Sequence, residues 1–312
     1  MRLSVVVPCH NEELVVQPLY EQVCAVADTL VDELELVFVD DGSSDSTLEI
    51  VKKLANDDTR VHFVSFSRNF GKESAMLAGL RTSTGDAVVL MDADLQHPPT
   101  LIPRLLEELA PGVDQVIAER DRVGDPWLRS QISKLYYRLM GRVVDVPLTD
   151  GQGDFRLLSR RAVDALTQME ESNRFSKGLF SWIGFERRVV HYKNAERAAG
   201  TSKWSLTRLA NYGIDGVISF NNRPLRLFIW FGLAVAFLSV VYTLVVTVQA
   251  LAFGIDVPGY VTLLVAITGL GGMQLVSLGV IGEYIGRIYQ ETKHRPHYVV
   301  RSSSEDERGS VA

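Results

Sequence analysis

The sequence predicts an α/β fold: a mostly parallel, doubly wound sheet followed by two long apolar helices. Three observations carry this expectation. Short β-branched apolar runs, LSVVVP, LELVFVDD, VHFVSFS and DAVVLMDAD, alternate with stretches of helical apolar spacing such as LYEQVCAVADTLV and TLEIVKKLAND. Each run closes on a polar or turn-forming cluster. From Leu227 to Phe253 and again from Val257 to Gly282 there is no charged side chain, whereas Asp, Glu, Lys and Arg are frequent before them.

Strands alternating with helices imply a parallel sheet covered on both faces, and ligands of such sheets bind beyond the carboxyl ends of the strands. Taken in order, the first strand ends at Pro8 to Glu13. The second ends at Asp40 to Asp45, where DDGSSDST supplies a turn glycine and residues able to cap the next helix. The third ends at Asn69 to Lys72 and the fourth at Asp92 to Gln96, so four polar clusters are expected to line one crevice. Residues 1–204 form the expected catalytic domain. Ser205 to Asn222, within a juxtamembrane segment 205–226, fits either a helix lying in a membrane interface or an ordinary amphipathic helix packed on the domain.

Each uncharged run exceeds the ~20 residues that a helix needs to cross a bilayer, so residues 227–285 read as two transmembrane helices joined by GIDVPG. A greasy hairpin inside a soluble oligomer is the plainer alternative. Arg223, Arg226, Arg287, Lys293 and Arg295 flank the runs and GIDVPG has no Lys or Arg, which puts both ends on the cytosolic side. The apolar stretch Leu3 to Val7 is too short for a signal-peptide core. The expectation is a multi-pass protein of the cell membrane with a cytoplasmic catalytic domain and a cytosolic tail, 286–312, whose end, RSSSEDERGSVA, looks disordered.

A net charge of −6 over 312 residues excludes nucleic acid as a partner for the domain as a whole. Basic residues still gather in ERDRVGD, LRSQISKLYYR and ERAAGTSKW, where they can face phosphates. Cys9 and Cys24 lack zinc-ligand company and read as buried thiols. There is no Gly-x-Gly-x-x-Gly and no Gly-Lys-Ser/Thr loop, so dinucleotide oxidoreductases and P-loop kinases lose their main signal.

In MDADLQHPP, Met91 to Pro99, carboxylates and a carboxamide occupy every second position after an apolar run. On an extended segment side chains two apart share a face, roughly 6.5 Å apart at ~3.3 Å rise per residue, so Asp92, Asp94 and Gln96 can converge. Three hard oxygen donors suit Mg²⁺ or Mn²⁺ better than zinc. Taken alone, the stretch is equally a polar loop with turn-forming Asp residues.

Together PCHNEE, DDGSSDST, NFGKESAMLAGL, MDADLQHPP, GDFRLLSRR and AGTSKW, in this order, resemble the family 2 glycosyltransferases that act on polyprenyl phosphates, a likeness that spans about residues 1 to 300. The bactoprenol glucosyltransferases and dolichol-phosphate mannose synthases are the groups most alike. The resemblance implies a GT-A fold, a UDP- or GDP-linked sugar donor, a divalent ion held by Asp92, Asp94 and Gln96, and inversion at the anomeric carbon. It places Pro8, Glu12 and Asp41 among nucleotide contacts, beside Asp40, Lys72 and Asp92 at the donor. Asp154 and Arg156 match the acceptor-side motif and join Asp94 as candidate catalytic residues. Arg120, Arg122, Arg129, Arg197 and Lys203 match positions that face phosphates. Asn194 and Ser172 stand where relatives often have Arg.

A nucleoside diphosphate leaves with growing negative charge, which a divalent ion stabilises. A phosphate monoester, with a second pKa near ~6, is already anionic and needs no general base. A hydroxyl acceptor needs one, and Asp154 is the candidate. The expected function is transfer of a sugar to a polyprenyl phosphate. A glycosyltransferase with a hydroxyl acceptor is the alternative, although the Gln-x-x-Arg-Trp of processive synthases is absent. An inactive membrane scaffold is a second alternative, and the intact carboxylates argue against it. Tethering near a common substrate pool would suit a homo-oligomer.

Overall fold

In a computed structural model of the chain, the described residues are 1–121 apart from 29, 152–193, scattered helical positions between 232 and 252, and 259–309. β1 (Arg2–Cys9), β2 (Glu33–Asp40), β3 (Val61–Phe66) and β4 (Ala87–Leu90) alternate with α1 (Val16–Ala27), α2 (Thr47–Asp57) and α3 (Lys72–Thr82). A 3₁₀ turn and α4 (Ile102–Glu108) lead to β5 (Gln115–Asp121). β6 (Gln152–Ser159), α5 (Arg160–Thr167), α6 (Ser176–Trp182) and β7 (Arg187–Lys193) follow. Further on lie α7 (Tyr260–Thr292), β8 (Val300–Ser303) and α8 (Ser304–Gly309). The strands form one sheet in the order β7-β5-β6-β4-β1-β2-β3-β8. β1 pairs in parallel with β2 and β4, β2 with β3, and β5 with β7, whereas β6 runs antiparallel to both its neighbours and β8 runs antiparallel to β3. The α/β, mostly parallel architecture is thus as expected.

Successive strand residues point to opposite faces, and both faces are covered. Leu3, Val5 and Val7 of β1 are buried with residues of α1, α2 and α4. Val6, Val37 and Val39 are buried against α3 and α5. α3 lies so close to the sheet that a Cβ on Gly79 would come within 2.2 Å of Val6 Cγ1.

Two expectations are corrected. Among the described residues no helix is long and apolar enough to cross a membrane. α7 has 33 residues, with Glu283, Arg287 and Glu291 in its last third, and the first apolar run, 227–253, lies largely outside the described residues. The two predicted spans, and with them a multi-pass location with the catalytic domain in the cytoplasm, are therefore not upheld. Nor are residues 301–309 of the tail a disordered appendage. Tyr298 stacks on Phe66 at 4.7 Å between ring centroids, the Ser67 N–H donates to the Val299 carbonyl, and the Phe63 N–H donates to Ser304 Oγ, so the segment closes the β3 edge of the sheet. Residues 205–226 lie outside the described residues.

Candidate active site

The strand order reverses between β1 and β4, and at such a switch point the loops beyond the two strands part to leave a crevice. Loops from β1 and β2 are stitched together along one side of it. His10 Nδ1 donates to the Asp41 carbonyl at 2.9 Å, the Asn11 N–H to Ser43 Oγ at 3.0 Å, and the Ser44 N–H to Asn11 Oδ1 at 2.8 Å. The Glu12 N–H donates to Thr47 Oγ1 at 2.8 Å, and Pro8 sits in register with Val39. Asp40 and Asp41 are both buried and both engaged within the fold. Asp40 accepts from the Ser43 N–H and the Ser65 hydroxyl, whereas Asp41 accepts from the N–H groups of Phe70 and Gly71. Burial pushes the Asp41 carboxyl up despite those N–H donors. Asp41 therefore fixes the loop that delivers Lys72.

Lys72 opens α3, after Gly71 at a φ of +96° that suits glycine. Its ammonium lies 2.6 Å from Asp92 Oδ1 and 2.6 Å from Asp154 Oδ2, joining the loop after β4 to β6. Burial disfavours the charged lysine, but the Asp154 and Asp92 carboxylates outweigh it and hold the ammonium well above its ordinary pKa. For Asp154, burial would raise the carboxyl, yet Lys72, Lys177 and Arg156 together hold it below the usual carboxylate range. Asp154 is thus a poor proton acceptor.

The expected metal donors are presented differently from the way strand alternation predicts. β4 stops at Leu90 and the chain turns, with Leu95 at a φ of +59° and the Gln96 N–H donating to Asp94 Oδ1 at 3.1 Å. Among the described residues no group of three His, Cys, Asp or Glu side chains is arranged to hold a metal. Asp92 and Asp94 would need the Gln96 carboxamide or a ligand oxygen to complete a set. The donors nonetheless fit a hard divalent ion, and the Lys72 ammonium already stands in as a cation against Asp92.

Arg156 is buried, with its guanidinium 3.6 Å from the centre of the Phe180 ring and Nη2 donating to the Gly153 carbonyl at 2.8 Å. Burial lowers its pKa to about 10, against the pull of Asp154. It braces the strand that carries Asp154. Four neighbours were not singled out from the sequence. The Ser176 N–H donates to Glu73 Oε2 at 3.0 Å, pinning the start of α6 to α3, and Lys177 follows at once. His97 stacks on Phe155 at 5.0 Å and meets Tyr192 edge-on, so it locks the Asp92–Gln96 loop onto β6 and β7. Burial lowers its pKa, against the raising influence of Asp92 and Asp94. His97 was legible, lying inside MDADLQHPP. Arg120 lies on β5 in register with Tyr192, while Arg122, Arg129, Arg197 and Lys203 lie outside the described residues.

The glycosyl transferase family 2 model matches residues 4–167, and the GtrB C-terminal hairpin model matches residues 223–288. The putative glycosyltransferase CsbB of Bacillus subtilis (strain 168) is 50% identical over 302 residues, 97% of this chain and 92% of that one. The bactoprenol glucosyl transferase of Shigella phage SfV is 43% identical over 306 residues, 98% of this chain and 100% of that one. Among solved structures, glucosyl-3-phosphoglycerate synthase from Mycobacterium tuberculosis, in complex with Mn²⁺, uridine diphosphate and phosphoglyceric acid, aligns at a TM-score of 0.47 and 23% identity, over 70% of this chain and 76% of that one. On the strength of the family model and of relatives alike over nearly their whole length, the chain belongs to glycosyl transferase family 2.

Proposed function

We propose that this glycosyltransferase moves a glucosyl group from a nucleotide-sugar donor to a polyprenyl phosphate by a single, inverting displacement. Near full-length likeness to bactoprenol glucosyl transferases supports the sugar and the acceptor class. The observation that carries the reading is the state of Asp154. Its carboxylate is tied to Lys72 at 2.6 Å and held below the usual carboxylate range, so the best-placed acid of the site is unsuited to take a proton from a hydroxyl. A phosphate acceptor arrives ionised and asks for none.

In this reading Asp92, Asp94 and Gln96 would hold Mg²⁺ or Mn²⁺, which supplies Lewis-acid stabilisation of the departing diphosphate. Lys72 and Asp154 position donor and acceptor, and the Arg156 charge favours the ionised Asp154. The β1 and β2 loops, with Pro8, Glu12 and the Asp41 anchor, bound the nucleotide of a UDP- or GDP-linked sugar. Residues 1–204 with the docked tail form the catalytic unit, and Arg120, Arg122, Arg129, Arg197 and Lys203 are the proposed phosphate-facing set. The test compares transfer to undecaprenyl phosphate and to undecaprenol by wild type, Asp154→Asn and Arg197→Ala. The phosphate should be the substrate, Asp154→Asn should retain measurable turnover, and Arg197→Ala should impair lipid use more than donor use. Preference for the alcohol with a dead Asp154→Asn would overturn the reading.

A further inference from the structure

We propose that Lys72 is a resident counter-cation that keeps the site closed to a divalent ion until the donor arrives, so that metal and nucleotide load together. The inference rests on the metal-dependent reading above and goes beyond it by assigning an order. Asp92 and Asp154 come from loops and strands 62 positions apart in the chain yet meet at one ammonium, 2.6 Å from each. Two carboxylates brought so close repel unless a cation lies between them, and here the chain supplies it.

The lysine's side chain is partly exposed, but the backbone that carries it is fixed. Behind it, Asp41 accepts the N–H groups of Phe70 and Gly71; ahead of it, Glu73 accepts the Ser176 N–H. Both neighbours of Lys72 are therefore anchored to other elements, and its reach is set. A divalent ion arriving alone at Asp92 meets a positive charge already bonded to that carboxylate, and like charges at contact distance disfavour its entry. A nucleoside diphosphate changes the balance by adding negative oxygens. Lys72 can then be shared between Asp154 and phosphate while Asp92 is released to the ion. No covalent bond forms or breaks in this exchange, and no proton moves. Because coupling between two ligands is reciprocal, the same arrangement makes the nucleotide bind better in the presence of the ion.

The test measures Mn²⁺ binding to the purified full chain by the electron paramagnetic resonance of free Mn²⁺, without nucleotide, with UDP and with GDP. Wild type should bind Mn²⁺ weakly alone and at least about tenfold more tightly with the matching nucleotide, whereas Lys72→Met should bind it alone at least about tenfold more tightly than wild type and gain less than about threefold from the nucleotide. Lys72→Arg, which keeps the charge, should behave like wild type. Circular dichroism and thermal melting establish that each variant folds, and Lys72→Gln serves if the Met variant does not. Unchanged or weaker Mn²⁺ binding by a folded, uncharged variant without nucleotide overturns the exchange while leaving metal-dependent transfer standing. Absence of Mn²⁺ binding to wild type with either nucleotide overturns both.

Discussion

At the side chain of Asp154 two influences oppose each other. Burial favours the neutral acid, while Lys72, Lys177 and Arg156 favour the carboxylate and prevail. The folded-state pKa is thus below that of the unfolded chain. Its stabilising share is fully present above the ordinary Asp value of about 3.9 and is lost as pH falls through the lower folded value. Thermal melts of Asp154→Asn should therefore lose part of the acid-side fall seen in wild type between about pH 4 and pH 2. An unchanged acid limb would show that Asp154 is not held ionised in the fold. His97 gives a second prediction. Its ring stacks on Phe155, and its buried Nδ1 has no hydrogen-bond partner among the described residues, so the stacking contact carries its role. His97→Phe should stay within about 1 kcal/mol of wild type in denaturant unfolding, whereas His97→Ala should lose about 2–4 kcal/mol through the cavity it leaves.

Among elements, the loop between β2 and α2 shows how much local sequence reveals. The glycine of DDGSSDST reads as a turn residue, and Gly42 indeed sits at a φ of +64°. What the motif cannot reveal is that a Cβ there would meet the Arg68 carbonyl carbon at 2.4 Å and the Asn69 nitrogen at 2.6 Å. Those partners belong to the next loop, beyond α2 and β3. Gly42→Ala should cost about 2–4 kcal/mol from backbone strain and steric displacement together, read by chemical unfolding, and should weaken nucleotide binding more than a surface Gly112→Ala. β1 to β4 were legible because each is an apolar run bounded by turn chemistry. The internal partners of Asp40 were not, since the Ser65 hydroxyl that it accepts from lies on β3, 25 positions away. The Lys72 bridge was equally hidden, because its two carboxylates lie 20 and 82 positions downstream and only the sheet order brings them together.

On the scale of the whole molecule, transfer should stop in excess EDTA and return with Mg²⁺ or Mn²⁺, an outcome measured by the yield of lipid-linked sugar. Full activity in EDTA would remove the metal from the account. The tail teaches a different lesson about legibility. RSSSEDERGSVA has the composition of a disordered end, yet residues 301–309 fold, held where Tyr298 stacks on Phe66, Val299 accepts the Ser67 N–H and Lys52 pairs with Glu307 at 2.5 Å. Composition does not foresee docking supplied by a strand more than two hundred positions away. That docking also bears on how the protein behaves in concentrated solution. VHFVSF, the segment that β8 covers, is six residues of aromatic and β-branched character without proline or net carboxylate, the kind of edge that templates pairing between molecules. β8 acts as a built-in cap on that template. A chain clipped after Arg295 should keep its parallel core but associate through the bared strand, showing concentration-dependent light scattering that the intact chain lacks and that a charge added at the half-buried position of the same strand, His62→Lys, suppresses.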